Sequence, residues 1–301
     1  MQEAFIIGKI WSKASEEEAV NVTQARLLII QDISASCRIS MNVALPVLSC
    51  LDHEVNILPT ALLSTHTTAG FDQYTYLDLT EENEKILAHW DKLGIRFDGI
   101  LVGYIGSVKQ IKRIEAIVDR FLKKGGHFIL DPAMAESGDL YDGFGQDYVN
   151  EMRLLAKRAS VLLPNQTEAG LLVGSQDLGQ DSVDLEDLVI QVAKICQETA
   201  ILTGVRSKDG QEIGAYSCNG QTQQVQREFA PYYPGHYEGS GDLFASVVTG
   251  LILQGKTIHQ AMATAVDYVS RCIGRTSQLS EDKRRYGIQF ESDLAYLMNQ
   301  L

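Results

Sequence analysis

The sequence predicts an α/β fold: a single domain with a mostly parallel central sheet, helices on both faces and small lid loops. Three observations carry that reading. Compact apolar runs alternate with helix-length segments, the pattern of a parallel sheet covered on both faces. Asp32, Gly103, Asp131 and Asn165 each follow the carboxyl end of such a run. Ligands in open α/β sheets bind at strand carboxyl ends, so these four are expected to face one cleft. No low-complexity linker and no internal repeat divides the 301 residues.

In chain order, residues 1–26 are weakly patterned and carry the acidic run Glu16-Glu17-Glu18. They are expected to form an N-terminal extension with a short helix, leaving residues 27–301 as the domain. Leu27-Leu28-Ile29-Ile30 reads as a buried first strand. Ser40 is placed to cap a helix through Leu51, kinked or shortened by Pro46. Val55 to Pro59 suggests a second strand, and Ser64 to Phe71 is a hydroxyl-rich loop without periodicity. Thr80 is expected to cap a helix with Glu81 and Glu82 in its first turn. Gly99 to Gly103 is a third strand, and Ser107 starts a basic amphipathic helix ending at Gly125-Gly126. His127 to Pro132 and Val161 to Asn165 repeat the strand pattern, and Thr167 to Val173 reads as a short helix. A helix near Leu185 to Glu198, a strand at Ala200 to Gly204, and short β segments near 212–217 and 222–227 follow. Helices are expected near Leu243–Leu253, Ile258–Ile273 and the C-terminus.

Composition narrows the function classes. A net charge of −13 without a basic patch argues against nucleic-acid or anionic-membrane partners. The five cysteines are scattered and lack C-x-x-C spacing, which fits reduced cytosolic thiols rather than a disulfide framework or zinc site. No apolar stretch approaches a membrane span, and the N-terminus lacks a basic region before an apolar one. A cytoplasmic location is therefore expected.

The chemistry concentrates at Gly239-Ser240-Gly241-Asp242, which opens into an apolar helix-like run. Two glycines permit backbone angles and approaches that a Cβ would block. The first helical turn offers unpaired N–H groups to an anion. Asp242 there is either a helix cap or a base beside a phosphate; these residues by themselves leave both open.

Gly250-Leu251-Ile252-Leu253-Gln254-Gly255-Lys256-Thr257 satisfies the P-loop pattern letter for letter. The context opposes it. Leu251-Ile252-Leu253 is too apolar for an exposed phosphate cradle, and too little chain follows to build a sheet around it. The match is expected to be a helix end and turn.

The ordered set Gln31-Asp32-Ile33-Ser34, Ala44-Leu45-Pro46, Leu58-Pro59-Thr60, Ser64-Thr65-His66-Thr67, Gly103-Tyr104-Ile105-Gly106-Ser107, Asp131-Pro132-Ala133-Met134, Pro164-Asn165-Gln166-Thr167-Glu168-Ala169 and Gly239–Asp242 resembles the pyridoxal kinases of the ribokinase-like superfamily. The resemblance covers about Leu27 to Gly274. It implies that Asp242 is the base for the substrate's primary alcohol, and that Gly239, Ser240 and Gly241 form the anion hole for the transferred phosphoryl group. It implies that Asn165 and Glu168 help hold magnesium through water, with Thr203 and Gly204 beside the nucleotide. Helix capping plus first-turn charge explains Asn165 and Glu168 equally well without the resemblance. Glu136 stands where the family carries Asp, and is a third water-mediated magnesium candidate. Asp32 and Ser34 match the vitamin-binding start, His66 and Thr67 the lid, and Tyr104 a ring-packing position. The implied cofactors are ATP, Mg2+ and a monovalent cation, the implied assembly is a homodimer, and the implied role is pyridoxal phosphate salvage. Two other functions remain: a hydroxymethylpyrimidine or sugar kinase of the same superfamily, and a non-catalytic vitamin-binding protein.

Overall fold

The computed structural model describes residues 24–67, 71–175 and 184–300. Strand β1 (Arg26–Ile30) and the short β2 (Ile33–Ser34) precede helix α1 (Met41–Cys50). Next come β3 (Glu54–Ile57), β4 (Ala61–Leu63), β5 (Tyr76–Asp78) and α2 (Thr80–Lys92). β6 (Phe97–Val102), α3 (Val108–Phe121) and β7 (Leu122–Leu130) lead to a hairpin of β8 (Ala135–Glu136) and β9 (Asp139–Leu140). α4 (Gln146–Ala156), β10 (Val161–Leu162), α5 (Gln166–Val173), α6 (Leu185–Ala193) and β11 (Thr199–Arg206) follow. The chain closes with β12 (Glu212–Asn219), β13 (Val225–Pro231), α7 (Ser240–Leu253), α8 (Ile258–Thr276), α9 (Glu281–Arg284) and α10 (Leu294–Met298).

Eight strands form the central sheet in the order β13-β12-β11-β10-β7-β6-β1-β3. The six from β11 to β3 run parallel, and β12 and β13 add antiparallel at one edge. Strand alternation splits the core into two layers. Leu28, Ile30, Ile100, Val102, Phe128 and Leu130 pack beneath the helices of one face. Leu27, Ile29, Leu101, Ile129 and Ile201 pack with residues of α1, α7 and α8 on the other. Both sides of the inner strands β1, β6 and β10 are dry, which is why they read as unbroken apolar runs rather than alternating ones.

The topology places the cleft. From β1 the chain moves outward to β3, then returns to β6 on the other side of β1 and continues through β7, β10 and β11. The order reverses between β1 and β6, the switch point beyond whose carboxyl ends open α/β sheets bind their ligands. Gln31 and Asp32 leave β1 there, and Gly103 leaves β6 there.

Several expectations shift. Arg26, assigned to the extension, already belongs to β1: its N–H donates to Asp98 at 2.9 Å. The rest of that extension, residues 1–23, and the lid residues Thr68, Ala69 and Gly70 lie outside the described residues. Pro46 sits inside α1 without ending it. Thr80 is the first residue of α2 rather than its cap, because Asp78 Oδ1 accepts the Thr80 N–H at 2.7 Å. Helix α3 is capped by Ser107 as expected but stops at Phe121, where Leu122 begins to pair with Phe97. The loop region after β3 carries a small second sheet, β2-β4-β5, which the sequence reading lacked.

Candidate active site

Helix α7 begins at Ser240, capped by Gly239 at φ 83°. A Cβ on Gly239 would lie 2.2 Å from the Arg38 carbonyl oxygen, so both the angle and the space require glycine. The Ser240 N–H turns back to the Tyr237 carbonyl at 3.1 Å. The N–H groups of Gly241 and Asp242 have no backbone acceptor among the described residues, and nothing would meet a Cβ on Gly241 within 4 Å. An open space therefore lies before two free donors at the positive end of a 14-residue helix, an arrangement suited to an anion.

Asp242 sits in that mouth with its two oxygens held by different elements. Oδ2 accepts the Ser40 N–H at 2.8 Å, and Oδ1 accepts the Gln31 side-chain amide at 3.3 Å. Burial pushes this carboxyl up to about 7; the Ser40 N–H pulls against the rise, and the charges of Asp32 and Glu238 add to it. A carboxyl ionising near neutral pH suits a general base, which works best with a pKa near the operating pH. Its cap role is minor, since the cap residue is Gly239.

The second wall of the cleft is built after β1. Asp32 is 4% exposed, and the Ser34 hydroxyl lies 3.5 Å from its Oδ2. Burial raises its carboxyl, opposed by the Ser40 and Ser34 hydroxyls and the nearby His66. Tyr104 lies within electrostatic reach of Asp32 and Tyr76, its hydroxyl pushed up to about 12 chiefly by burial. Its ring stacks on Phe144 at 5.8 Å. His66 is buried, with Nε2 donating to the Arg285 carbonyl at 2.7 Å and its ring meeting Phe71 edge-on at 4.7 Å. It thus packs into the fold instead of lying free on a loop. Thr67, its exposed neighbour, ends the described part of the lid.

The third group lies at the ends of β7, β10 and β11. Asn165 and Glu168 form a full capping box on α5, so the capping geometry is present in both directions. Glu168 Oε2 accepts the Asn165 N–H at 2.9 Å, while Oε1 accepts the Met134 N–H at 3.0 Å. The Asn165 side chain donates to the Ala135 carbonyl at 2.8 Å. Asn165 also bridges to Thr203, whose N–H donates to the Pro164 carbonyl, and Gln166 donates to the Gly204 carbonyl at 2.9 Å. The box therefore ties the β8 segment, α5 and the end of β11 into one frame. Burial, then the charges of Glu168 and Asp242, holds the Asp131 carboxyl well above the carboxylate range. Burial also raises Glu168 and Glu136; Glu136 has its charge facing Glu238 and stands 3.9 Å from His236.

Sequence reasoning missed Gln31 and Ser40 as neighbours of Asp242. Gln31 left a trace, a polar residue ending a buried apolar run. Ser40 left none, because its contact is a backbone N–H aimed by φ 47°, an angle rare outside glycine.

An open α/β sheet with a glycine-turned anion site and an acid at its switch point is the build of a ribokinase-like small-molecule kinase. A family model described as phosphomethylpyrimidine kinase matches residues 60–286. The crystal structure of pyridoxal kinase from Lactobacillus plantarum is 34% identical, with a TM-score of 0.84 over 92% of this chain and 97% of that one. The pyridoxal kinase of Leishmania donovani, in complex with ADP and pyridoxamine, shares the fold at 21% identity, with a TM-score of 0.77 over 90% of this chain and 95% of that one. The hydroxymethylpyrimidine/phosphomethylpyrimidine kinase of Bacillus subtilis is 24% identical over 184 residues, 60% of this chain and 65% of that protein. The chain belongs to the pyridoxal kinase family of the ribokinase-like superfamily, and is a kinase of its pyridoxal/phosphomethylpyrimidine branch.

Proposed function

We propose that the protein transfers the γ-phosphoryl group of ATP to the primary alcohol of a vitamin B6 vitamer, in pyridoxal phosphate salvage. The observation that carries this reading is Asp242, ionising near 7 beside the free N–H groups of Gly241 and Asp242 at the topological switch point. Asp242 takes the alcohol proton as the alcohol oxygen attacks the γ-phosphorus. The bond to the ADP oxygen breaks, and ADP leaves with the negative charge. The helix N-terminus stabilises the equatorial oxygens while that charge moves. General-base help of this kind contributes about 10²–10⁴-fold.

Asp32, Ser34 and Tyr104 supply the polar and ring contacts of the acceptor pocket, with His66 and Thr67 at its lid. Thr203, Gly204 and the Asn165–Glu168 box border the nucleotide side. ATP use is supported by the ADP bound in the Leishmania relative. Raised carboxyls at Asp131, Glu168 and Glu136 fit a site completed by a cation. Glu168 and Asn165 already spend their side chains on backbone partners, so with Glu136 they would hold magnesium only through water, with the box as frame. Bound there, the ion would neutralise phosphate charge.

A cytoplasmic location fits the scattered thiols, and no helix among the described residues is long and apolar enough to cross a membrane. A homodimer is supported by the outward side chains of the small sheet. A pyrimidine alcohol as acceptor is the second reading, favoured by the family description and the Bacillus relative. Measuring ATP consumption with pyridoxal, pyridoxine, pyridoxamine, hydroxymethylpyrimidine and sugars separates these. The expected result is turnover of at least one vitamer above the other alcohols. Turnover of hydroxymethylpyrimidine alone would replace the vitamin assignment, and binding without turnover of any acceptor would remove the kinase reading.

A further inference from the structure

We propose that Gln31 is a positioning residue for Asp242, and that Gly103 exists at its position to let Gln31 reach it. This rests on Asp242 acting as the base.

Gln31 is fully buried at the end of β1. Its amide nitrogen donates to Asp242 Oδ1 at 3.3 Å, across 211 residues of sequence. Its amide oxygen has no partner among the described residues. Burying a side-chain amide with half its hydrogen-bonding capacity unmet is unfavourable, and an apolar residue would fill the same space without that loss. Among the described residues, the contact with Asp242 is the one side-chain hydrogen bond that offsets it.

Gly103 is the neighbour that makes room. A Cβ there would lie 2.1 Å from Gln31 Nε2 and 2.8 Å from both Cδ and Cγ. All three contacts are shorter than real Cβ atoms tolerate, and they fall on the amide and on the stem that aims it. Any side chain at position 103 therefore swings the Gln31 amide away from Asp242. Strands β1 and β6 are hydrogen-bonded neighbours, and the Gly103 N–H donates to the Ile30 carbonyl at 3.1 Å, so the flexible Gln31 side chain gives way more readily than the paired backbones.

The Ser40 N–H and the Gln31 amide together fix the carboxylate plane from two elements, α1's cap and β1's end. With the Ser40 bond alone, the carboxylate can rotate about the remaining contact. Small misplacements of a reacting group cost rate steeply.

The test is steady-state kinetics of Gln31→Met and Gly103→Ala, each alone and combined with Asp242→Asn, with nucleotide affinity and thermal unfolding measured alongside. The expected result is a fall in kcat of about 10- to 100-fold for each single variant, the scale of losing one hydrogen bond to a charged group. KM for acceptor and nucleotide should stay within about twofold, since uniform binding is untouched. In the Asp242→Asn background neither substitution should lower kcat further, because there is no carboxylate left to aim. A generally damaged fold would move KM and stability and would add to the Asp242→Asn effect. An inactive Asp242→Asn protein beside a folded Gln31→Met protein of normal kcat overturns the positioning role alone. Normal kcat in Asp242→Asn overturns the base itself. If Gln31→Met does not fold, Gly103→Ala, which keeps the amide and displaces it, decides by the same two criteria.

Discussion

The oxygens of Asp242 are committed to Ser40 and Gln31, and neither neighbour is a cation. Burial without a counter-charge is what lifts its carboxyl to about 7. Two consequences follow from that value. The base is protonated below it, so kcat/KM should climb with pH through about 7 and level off above, read from a pH profile at substrate concentrations below KM. Asp242→Asn should flatten that limb and lower kcat by about 10²–10⁴-fold. Stability runs the other way. The folded value lies above the ordinary 3.8, so the contribution of this group is full below 3.8 and is lost as pH rises to about 7. Asparagine cannot ionise, and Gln31 can turn its unpaired amide oxygen toward the new amide. Asp242→Asn should therefore be stabilised relative to the parent by about 1–3 kcal/mol more at pH 8 than at pH 5. Asp131, whose carboxyl is held up in part by the charge of Asp242, is raised less in Asp242→Asn, which adds to the difference with the same sign. Equal stability differences at the two pH values would show that the carboxyl is not raised.

At the scale of elements, the P-loop match dissolves into a helix–turn–helix. Gly250 lies in α7 with its Cα facing α1: a Cβ there would meet Leu51 Cδ1 at 2.4 Å. Gly255 makes the turn at φ 80°, and Thr257 caps α8 in a capping box with Gln260. Lys256→Ala should leave kcat unchanged, while Thr257→Ala should lose about 1 kcal/mol of stability with turnover intact. Loss of ATP turnover in either folded variant would restore the phosphate-binding reading. The rejection was legible in the apolar Leu251-Ile252-Leu253, and so were the strands, because burial on both faces writes continuous apolar runs. The Gly239–Asp242 turn was legible for the same kind of reason, a backbone demand that only glycine meets. What stayed hidden depends on partners far away in sequence. The end of α3 is set by Leu122 pairing with Phe97, and β4 and β5 exist through each other rather than through their own propensity. Ser40 at φ 47° aims its N–H at Asp242, 202 residues further along the chain, which no local pattern encodes.

For the whole molecule, the small sheet is where the surface departs from what a lone domain needs. Ala61 and Leu63 of β4 point into the fold, while Leu62 between them is 42% exposed. Leu62 pairs across the strands with Leu77, itself 56% exposed. A cross-strand leucine pair facing outward gains nothing from water, and contiguous exposed apolar side chains mark contact surfaces more often than chance. The sheet also ends in a short strand, β5, whose outer edge pairs with no described strand. An open edge is a site where another chain can add. The protein should therefore run at twice its chain mass at micromolar concentration in sedimentation equilibrium. Leu62→Lys with Leu77→Lys should shift it to a single chain. Burying two leucines contributes roughly 1.5–3 kcal/mol each, so the dissociation constant should rise by about 100-fold or more. Both side chains already face solvent, so thermal stability of the isolated chain should change by less than about 0.5 kcal/mol for each substitution. A parent protein that sediments as one chain would end the dimer reading, and a double variant that stays dimeric would move the interface off this sheet.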